Sequence, residues 1–327
     1  MDLNSSMKGK VCVTGASGFV ASWLVKRLLE SGYHVIGTVR DPENTKKVSH
    51  LWQLQGAKER LQLVKAELTI EGSFDSAVMG CEGVFHTACP VVQGPISDPK
   101  LEILDPAISG TLNVLGSCKK NTSLKRVVLT SSSSTIRVIS NVDPNVHLDE
   151  SSWSDVELCE TLQFWYALAK MQSEKAAWEF AKENKIDLVV VIPSFVIGPC
   201  LPHDLCLTAS DVLGLLNGEA ERFSLYGRMG YVHIDDVARC HILVFEDTSA
   251  EGRYLCSSIV LDNHELAAQL SERYPQLPIP KRFEDNFGGR VSYQFNTFKL
   301  RKMGFRFKGI GEMFDDCIKS LREKGYL

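Results

Sequence analysis

Apolar and polar positions in the first two thirds of the chain follow two alternating rhythms. Short β-rich runs recur, and between them apolar residues return at helical spacing. Residues 10–14 (K-V-C-V-T) predict a strand, and Trp23, Leu24, Leu28 and Leu29 share one face of the helix after it. Further strands are predicted at 33–39, 61–64, 83–88, 126–129 and 187–192, with helices over 72–79, from 108 onward and over 161–184. Runs that stay apolar throughout, such as Val127-Val128-Leu129 and Val189-Val190-Val191-Ile192, suit strands covered on both faces. The rhythm is that of an α/β fold with a doubly wound parallel sheet. Beyond Gly198 it weakens, leaving helices near 208–217, 235–246, 263–273 and 311–324 between links rich in proline and glycine. Residues 1–195 are therefore expected to form one domain. Residues 196–327 should form a smaller α/β substrate lobe, some late segments of which return to the first domain.

The first strand runs into Gly15-Ala16-Ser17-Gly18-Phe19-Val20-Ala21, a glycine turn that opens a helix. Glycines there let the backbone turn tightly and approach a pyrophosphate, whose charge meets the N–H groups of the helix start. The spacing is G-x-x-G-x-x-A, and Ala21 is small enough for close helix–strand packing. Strand, turn and helix together make this a Rossmann dinucleotide site, to which Gly15, Ser17, Gly18, Phe19 and Val20 are assigned.

The second strand ends on Arg40, where an NAD-selective protein places an acid for the ribose 2′-hydroxyl. A cation there favours a 2′-phosphate, and Lys47 is placed to add a second. NADPH is thus expected over NADH, the alternative being two surface cations. Glu67 and Leu68 follow the third strand, where the acid either accepts from the adenine amine or is simply solvated. Thr87, Pro193 and Val196 stand at or just past strand ends and are assigned to the cofactor by the same rule. The loop from Cys89 to Asp105, with Pro90, Gly94, Pro95 and Pro99, is expected to wall the substrate site.

Thr130-Ser131-Ser132-Ser133-Ser134-Thr135 puts a hydroxyl cluster at the end of the strand at 126–129. The helix over 161–184 then carries Tyr166 and Lys170, four positions apart and so on one face. A phenol beside an ammonium is a proton donor for an alkoxide formed by hydride transfer, and the ammonium together with the oxidised nicotinamide's positive charge is expected to lower its pKa. Ser132 would donate to the carbonyl oxygen, with Ser131 its rival. Asn113, polar on an apolar helical stripe, either relays protons through water or makes a core hydrogen bond. His86 reads as a satisfied strand-end histidine. His233, Asp235 and Asp236 open a helix, where acids suit the dipole and can fasten the two lobes together. No metal site is expected.

Composition narrows the partners. Of 327 residues 44% are hydrophobic and 23% charged, and the net charge is −4, spread without a basic stripe. Nucleic acid is excluded as a partner, and small molecules are favoured. The ten cysteines lack metal-ligand spacing and read as reduced thiols in a cytoplasmic protein. No targeting signal or membrane-inserting run is recognised, although association with the endoplasmic reticulum surface stays open. Oligomeric state is not legible.

The sequence resembles the extended short-chain dehydrogenase/reductase family, in its plant dihydroflavonol-reductase and cinnamoyl-CoA-reductase branch. The resemblance rests on V-T-G-A-S-G-F-V-A at 13–21, T-V-R-D-P at 38–42, V-F-H-T-A at 84–88, V-V-L-T-S-S-S-S-T at 127–135, Y-A-L-A-K at 166–170 and Y-V-H-I-D-D-V-A at 231–238. It implies an NADP-dependent oxidoreductase with Ser132, Tyr166 and Lys170 as its catalytic set. W-Y-A-L-A-K, T-A-S-D-V-L-G-L-L and E-M-F-D-D-C-I are most similar to the tetraketide α-pyrone reductase group of sporopollenin synthesis. That likeness implies a hydrophobic polyketide ketone as substrate and leaves room for association with upstream enzymes of that route. Gln163-Phe164-Trp165 departs from the cinnamoyl-CoA-reductase signature N-W-Y-C-Y-A-K. Arg137 stands where dihydroflavonol reductases offer an asparagine, and Cys89 and Glu67 replace an expected serine and aspartate. The alternatives are those two reductase activities, a nucleotide-sugar epimerase or dehydratase sharing the fold, and a cofactor-sensing protein without turnover.

Overall fold

The computed structural model describes residues 8–90, 96–140, 147–284 and 292–327. Its strands are, in chain order, β1 (Lys10–Val13), β2 (His34–Val39), β3 (Leu61–Lys65), β4 (Gly83–His86), β5 (Arg126–Thr130) and β6 (His147–Leu148). Then come β7 (Leu188–Pro193), β8 (Phe195–Ile197), β9 (Met229–His233), β10 (Gly252–Cys256), β11 (Ile259–Leu261) and β12 (Gln294–Phe295). The helices of the first half are α1 (Phe19–Glu30), α2 (Thr45–Trp52), α3 (Ala57–Arg60), α4 (Asp75–Val78), α5 (Asp105–Lys119), α6 (Ser134–Arg137) and α7 (Val156–Thr161). The remainder are α8 (Trp165–Asn184), α9 (Leu207–Leu216), α10 (Glu221–Tyr226), α11 (Ile234–Glu246), α12 (Asn263–Arg273), α13 (Phe298–Lys302) and α14 (Ile310–Glu323).

Seven strands form one sheet in the order β3-β2-β1-β4-β5-β7-β10, and each neighbouring pair is parallel. The direction of winding reverses between β1 and β4, which opens a crevice at their carboxyl ends. Side chains alternate between two covered faces, as strand geometry requires. Val11, Val13, Val189 and Val191 pack with α1 and α11, through Leu24, Leu28, Val237 and Val244. Cys12, Val190 and Ile192 pack the other way, against Phe74, Val114, Leu115 and Ala177.

The stretch 196–327 does not stay apart from 1–195. β10 pairs in register with β7 at the sheet edge, and α11 lies beside α1, where Asp235 accepts from the Trp23 indole at 2.9 Å and from Arg27 Nε at 3.0 Å. The remaining C-terminal elements build their own core around β8, β9 and β11, with Phe195, Phe223, Tyr231 and Phe314 buried in it.

Expected and observed elements differ where local signals compete. The helix expected over 72–79 is only α4, because Gly72 has φ +74° and the chain turns before it can helix. Within the expected wall loop, 91–95 lie outside the described residues, while Lys100–Leu104 is already a helical turn leading into α5. The short helices α2, α3, α7 and α10 had no amphipathic period long enough to declare them.

One buried ion pair ties the sheet edge to α8. Arg253 of β10 donates from Nε to Glu174 at 2.7 Å, with side chains only 8% and 1% exposed. Arg253 also donates to the Glu150 and Ser152 carbonyls at 2.8 and 2.7 Å and lies 3.8 Å over the Trp153 ring. Removing one partner strands a buried charge, so Glu174→Leu should lower stability by about 3–5 kcal/mol, seen as an earlier denaturant midpoint. Glu174→Leu with Arg253→Met should recover most of it. An unchanged midpoint in the single variant would show that the pair is idle.

Candidate active site

Because the strands of the main sheet are parallel, the residues that follow them gather along one edge. Gly15 sits at φ +66°, and a Cβ there would stand 3.1 Å from that of Ala88, so the turn packs directly on the end of β4. α1 starts at Gly18 with no side-chain cap and no acid in its first turn. Its N–H groups at Phe19 and Val20 are therefore free to meet an anion. Beneath them the Thr14 hydroxyl accepts from the backbone N–H of Thr87 at 3.1 Å and of Ala88 at 3.0 Å. Its own proton then goes to His86 Nδ1 at 2.9 Å, which leaves that ring neutral with its hydrogen on Nε2. Burial, assisted by the Lys170 charge, pulls His86 down to about 3.

Arg40, exposed past β2, makes no ion pair among the described residues. Lys47 does: its ammonium lies 2.7 Å from Asp204, which also meets Lys46 at 3.4 Å. The sequence pattern offered Lys47 to a 2′-phosphate; in the cofactor-free protein it makes this exposed ion pair, and Arg40 has none among the described residues. Glu67 donates its N–H to Ser73 at 2.8 Å, and its carboxylate has no partner among the described residues. Asn113 donates to the Leu68 carbonyl at 2.7 Å, so it anchors the loop after β3 to α5. Ser17 lies half-buried in the glycine turn, Pro193 ends β7 and Val196 lies in β8. An uncapped helix start, a close glycine turn and a free arginine suit the phosphates of a dinucleotide with a 2′-phosphate.

The catalytic candidates come from β5 and α8. Lys170 is 7% exposed and donates to the Thr130 carbonyl at 2.7 Å. The Thr130 hydroxyl is in turn held at 2.7 Å by His241. Ser131 turns inward and donates to Glu174 at 2.5 Å. Ser132 turns outward, accepts from the Ser134 N–H at 3.2 Å and hydroxyl at 3.0 Å, and lies near enough to the Tyr166 phenol to lower its pKa. Of the two serines, the buried carboxylate claims Ser131, and Ser132 is the one on the Tyr166 side.

The phenol differs from the sequence expectation. Although the Tyr166 side chain as a whole is 47% exposed, desolvation around its hydroxyl, with Cys89, raises the phenol above its ordinary 10, and Lys170 and Ser132 pull it back without overcoming that. The group is thus held as the acid at neutral pH, the form that donates a proton. Burial pulls Lys170 down, but Cys89, Tyr166 and Glu174 together hold it above its usual value. Its ammonium stays charged.

His233, Asp235 and Asp236 serve the fold. His233 Nδ1 accepts the Asp235 N–H at 2.9 Å and caps α11. Asp236, pushed by burial to about 6, takes the Lys308 N–H and Arg239, each at 2.8 Å. Among the described residues no group of three His, Cys, Asp or Glu side chains is arranged to hold a metal. Sequence reasoning missed three supports: Glu174, detectable four positions after Lys170 on the same helical face; Thr14, at a strand end; and Arg253, for which no local signal exists.

The geometry separates neighbouring substitutions. Tyr166→Phe and Ser132→Ala should each lower kcat by roughly 10²-fold or more while leaving NADPH affinity, read by fluorescence titration, near wild type. Ser131→Ala should lower thermal stability and spare most of kcat. Equal loss of kcat in the two serine variants would contradict the assignment.

Residues 11–256 match the model of the NAD dependent epimerase/dehydratase family. The chain is 66% identical over 320 residues to tetraketide alpha-pyrone reductase 1 of Arabidopsis thaliana, covering 98% of this chain and 97% of that one. It is 45% identical to a cinnamoyl-CoA reductase of Medicago truncatula, over 99% and 98% of the two chains. Among solved structures it is similar to a yeast methylglyoxal/isovaleraldehyde reductase complexed with NADPH, at 27% identity and a TM-score of 0.83, covering 97% of this chain and 100% of that one. With a matching family model over most of its length, full-length reductase relatives and the serine, tyrosine and lysine in place, the chain belongs to the NAD dependent epimerase/dehydratase family, among its extended short-chain dehydrogenase/reductases.

Proposed function

We propose that this protein is an NADPH-dependent reductase of the ketone on a tetraketide α-pyrone, giving the hydroxylated pyrone. The observation that carries this reading is the 66% identity to a tetraketide alpha-pyrone reductase across 98% of the chain, against 45% to a cinnamoyl-CoA reductase. Bound NADPH supplies the hydride. The chain's own residues handle charge and protons. Ser132 donates a hydrogen bond to the carbonyl oxygen and fixes its direction, and Tyr166, held as the acid, gives the proton that the oxygen needs as negative charge builds on it. Lys170 stabilises the phenolate left behind, and Thr130 and Glu174 keep the ammonium in place. Arg40 supports NADPH over NADH and argues against an epimerase that only borrows the hydride.

The substrate in this reading is an apolar polyketide built on a fatty acyl starter, and the product feeds sporopollenin of the pollen wall. Free cysteines throughout the described chain agree with a cytoplasmic setting, open to contact with the enzymes that make the pyrone. No helix among the described residues is long and apolar enough to cross a membrane.

A coupled assay tests the choice. With NADPH, ketone-bearing tetraketide α-pyrones should be reduced with kcat/KM at least about tenfold above dihydroflavonols and cinnamoyl thioesters, a gap of ~1.4 kcal/mol in transition-state binding. Preference for either of the latter, or no NADPH oxidation with any ketone, would overturn it.

A further inference from the structure

Two thiols meet on the loop between β8 and α9. Cys200, 5% exposed, gives its N–H to the Ser320 hydroxyl of α14 at 3.1 Å, and its Sγ turns back onto the carbonyls of Pro202 at 3.7 Å and Asp204 at 3.8 Å. Two residues beyond Asp204, Cys206 caps α9. Its Sγ accepts from the Ala209 N–H at 3.4 Å and lies 3.3 Å from the Thr208 hydroxyl. The loop folds Cys200 back towards Cys206, and the two sulfurs lie close enough for each to shift the other. Both are free thiols.

The two are not equivalent. A helix N-cap is ordinarily Ser, Thr, Asp or Asn, whose oxygen accepts from the first turn, and a sulfur there does the same best as a thiolate. Cys200, the Thr208 hydroxyl and the Ala209 N–H together outweigh desolvation and bring Cys206 down to about 7. The neighbouring Cys206 and burial push Cys200 up, and the Lys324 charge offsets this only in part, so Cys200 keeps its proton. Access divides them in the same way. Cys206 is half-buried between Asp204, whose side chain is 45% exposed, and Leu207, 48% exposed, whereas Cys200 is buried. The other thiols fit such a role poorly. Burial pushes Cys12, Cys81, Cys118, Cys159 and Cys317 up, and the neighbours Cys240 and Cys256 are both 0% exposed.

We infer that Cys200 and Cys206 form a reversible dithiol–disulfide site, oxidised by a low-molecular-weight disulfide such as oxidised glutathione. The Cys206 thiolate attacks one sulfur of that molecule, so that a mixed disulfide forms at Cys206 and one glutathione thiolate leaves. Cys200 then gives up its proton, its sulfur attacks the Cys206 sulfur, and the second glutathione thiolate leaves. The two departing thiolates take up the two protons that the cysteines release. Two cysteine thiols are oxidised to one disulfide, and oxidised glutathione is reduced to two thiols. A thiol that ionises near ambient pH is the best attacking group for the first step. Only residues 201–205 lie between the two cysteines, so the second step closes a small ring that contains Asp204. Closure takes the thiolate cap from α9 and the Cys200 hydrogen bond from the carbonyl of Asp204, the residue that pairs with Lys46 and Lys47. In a reducing compartment a pair of this kind senses redox state rather than stapling the fold.

The test incubates the full-length protein with oxidised glutathione at neutral pH and counts thiols after unfolding. The wild type should lose two of its ten thiols and regain both with a dithiol reductant. Proteolytic cleavage before Asp204, between the two cysteines, should give pieces that stay joined until reduced. Cys200→Ser should stop with one glutathione on Cys206, and Cys206→Ser should keep its remaining thiols. Iodoacetamide labelling of Cys206 should be half-maximal at a pH of about 7 in the wild type and at a higher pH in Cys200→Ala, which lacks the neighbouring S–H. Ten intact thiols, a disulfide to any other cysteine, or glutathione that stays on wild-type Cys206 overturns the inference. A labelling midpoint that Cys200→Ala leaves unmoved overturns it as well. The wild-type cleavage map decides the matter if a variant fails to fold.

Discussion

The structure turns on one buried ammonium. Lys170 is removed from water and held against the carbonyl at the end of β5, a placement that would expel its charge if nothing compensated. Cys89 and Tyr166, with Glu174 one turn along α8, supply the compensation, and Glu174 is itself neutralised by Arg253 from the far edge of the sheet. The chain of charges thus runs from sheet edge to carboxylate to ammonium and ends at the Tyr166 phenol. Each member is positioned by the next.

The same carboxylate divides the work of two adjacent serines. By taking Ser131, Glu174 fixes the backbone that turns Ser132 outward toward Tyr166. A polar network in a core is worth its desolvation when every member is satisfied, and this one is close to that limit. It also binds the late strand β10 to the catalytic helix, so the C-terminal part of the chain helps to hold the site in shape. Across the crevice, Asp204 on the loop before α9 holds Lys46 and Lys47 beside the expected 2′-phosphate position.

Much of this was legible in the residues. The strands at β1, β2, β4, β5 and β7 announced themselves as apolar runs, and Gly15, Gly18, Tyr166 and Lys170 carry spacings that few other sites need. Local pattern ran out where the contact is distant in sequence. Arg253 lies 79 positions from Glu174, and nothing near either residue marks the pair. Lys47 is offered to a phosphate because its helix follows β2, and its ion pair with Asp204, 157 positions away, is anticipated by no local rule. Lys170 lowers the Tyr166 phenol as the spacing suggests, but in the cofactor-free protein desolvation around the hydroxyl, which no local pattern announces, outweighs that pull. β10 was missed because it follows a helix-rich stretch and owes its place to pairing with β7.

The central claim is that desolvation around its hydroxyl, moderated by Lys170, keeps Tyr166 as the protonated acid. Titration of isotope-labelled tyrosine by NMR in the cofactor-free protein, with the Tyr166 signal assigned by its loss in Tyr166→Phe, measures this directly. The account predicts a midpoint above the ordinary phenol value of about 10, and a still higher one in Lys170→Met. A midpoint below 10 in the wild-type protein, or one unmoved by loss of the lysine, would contradict it.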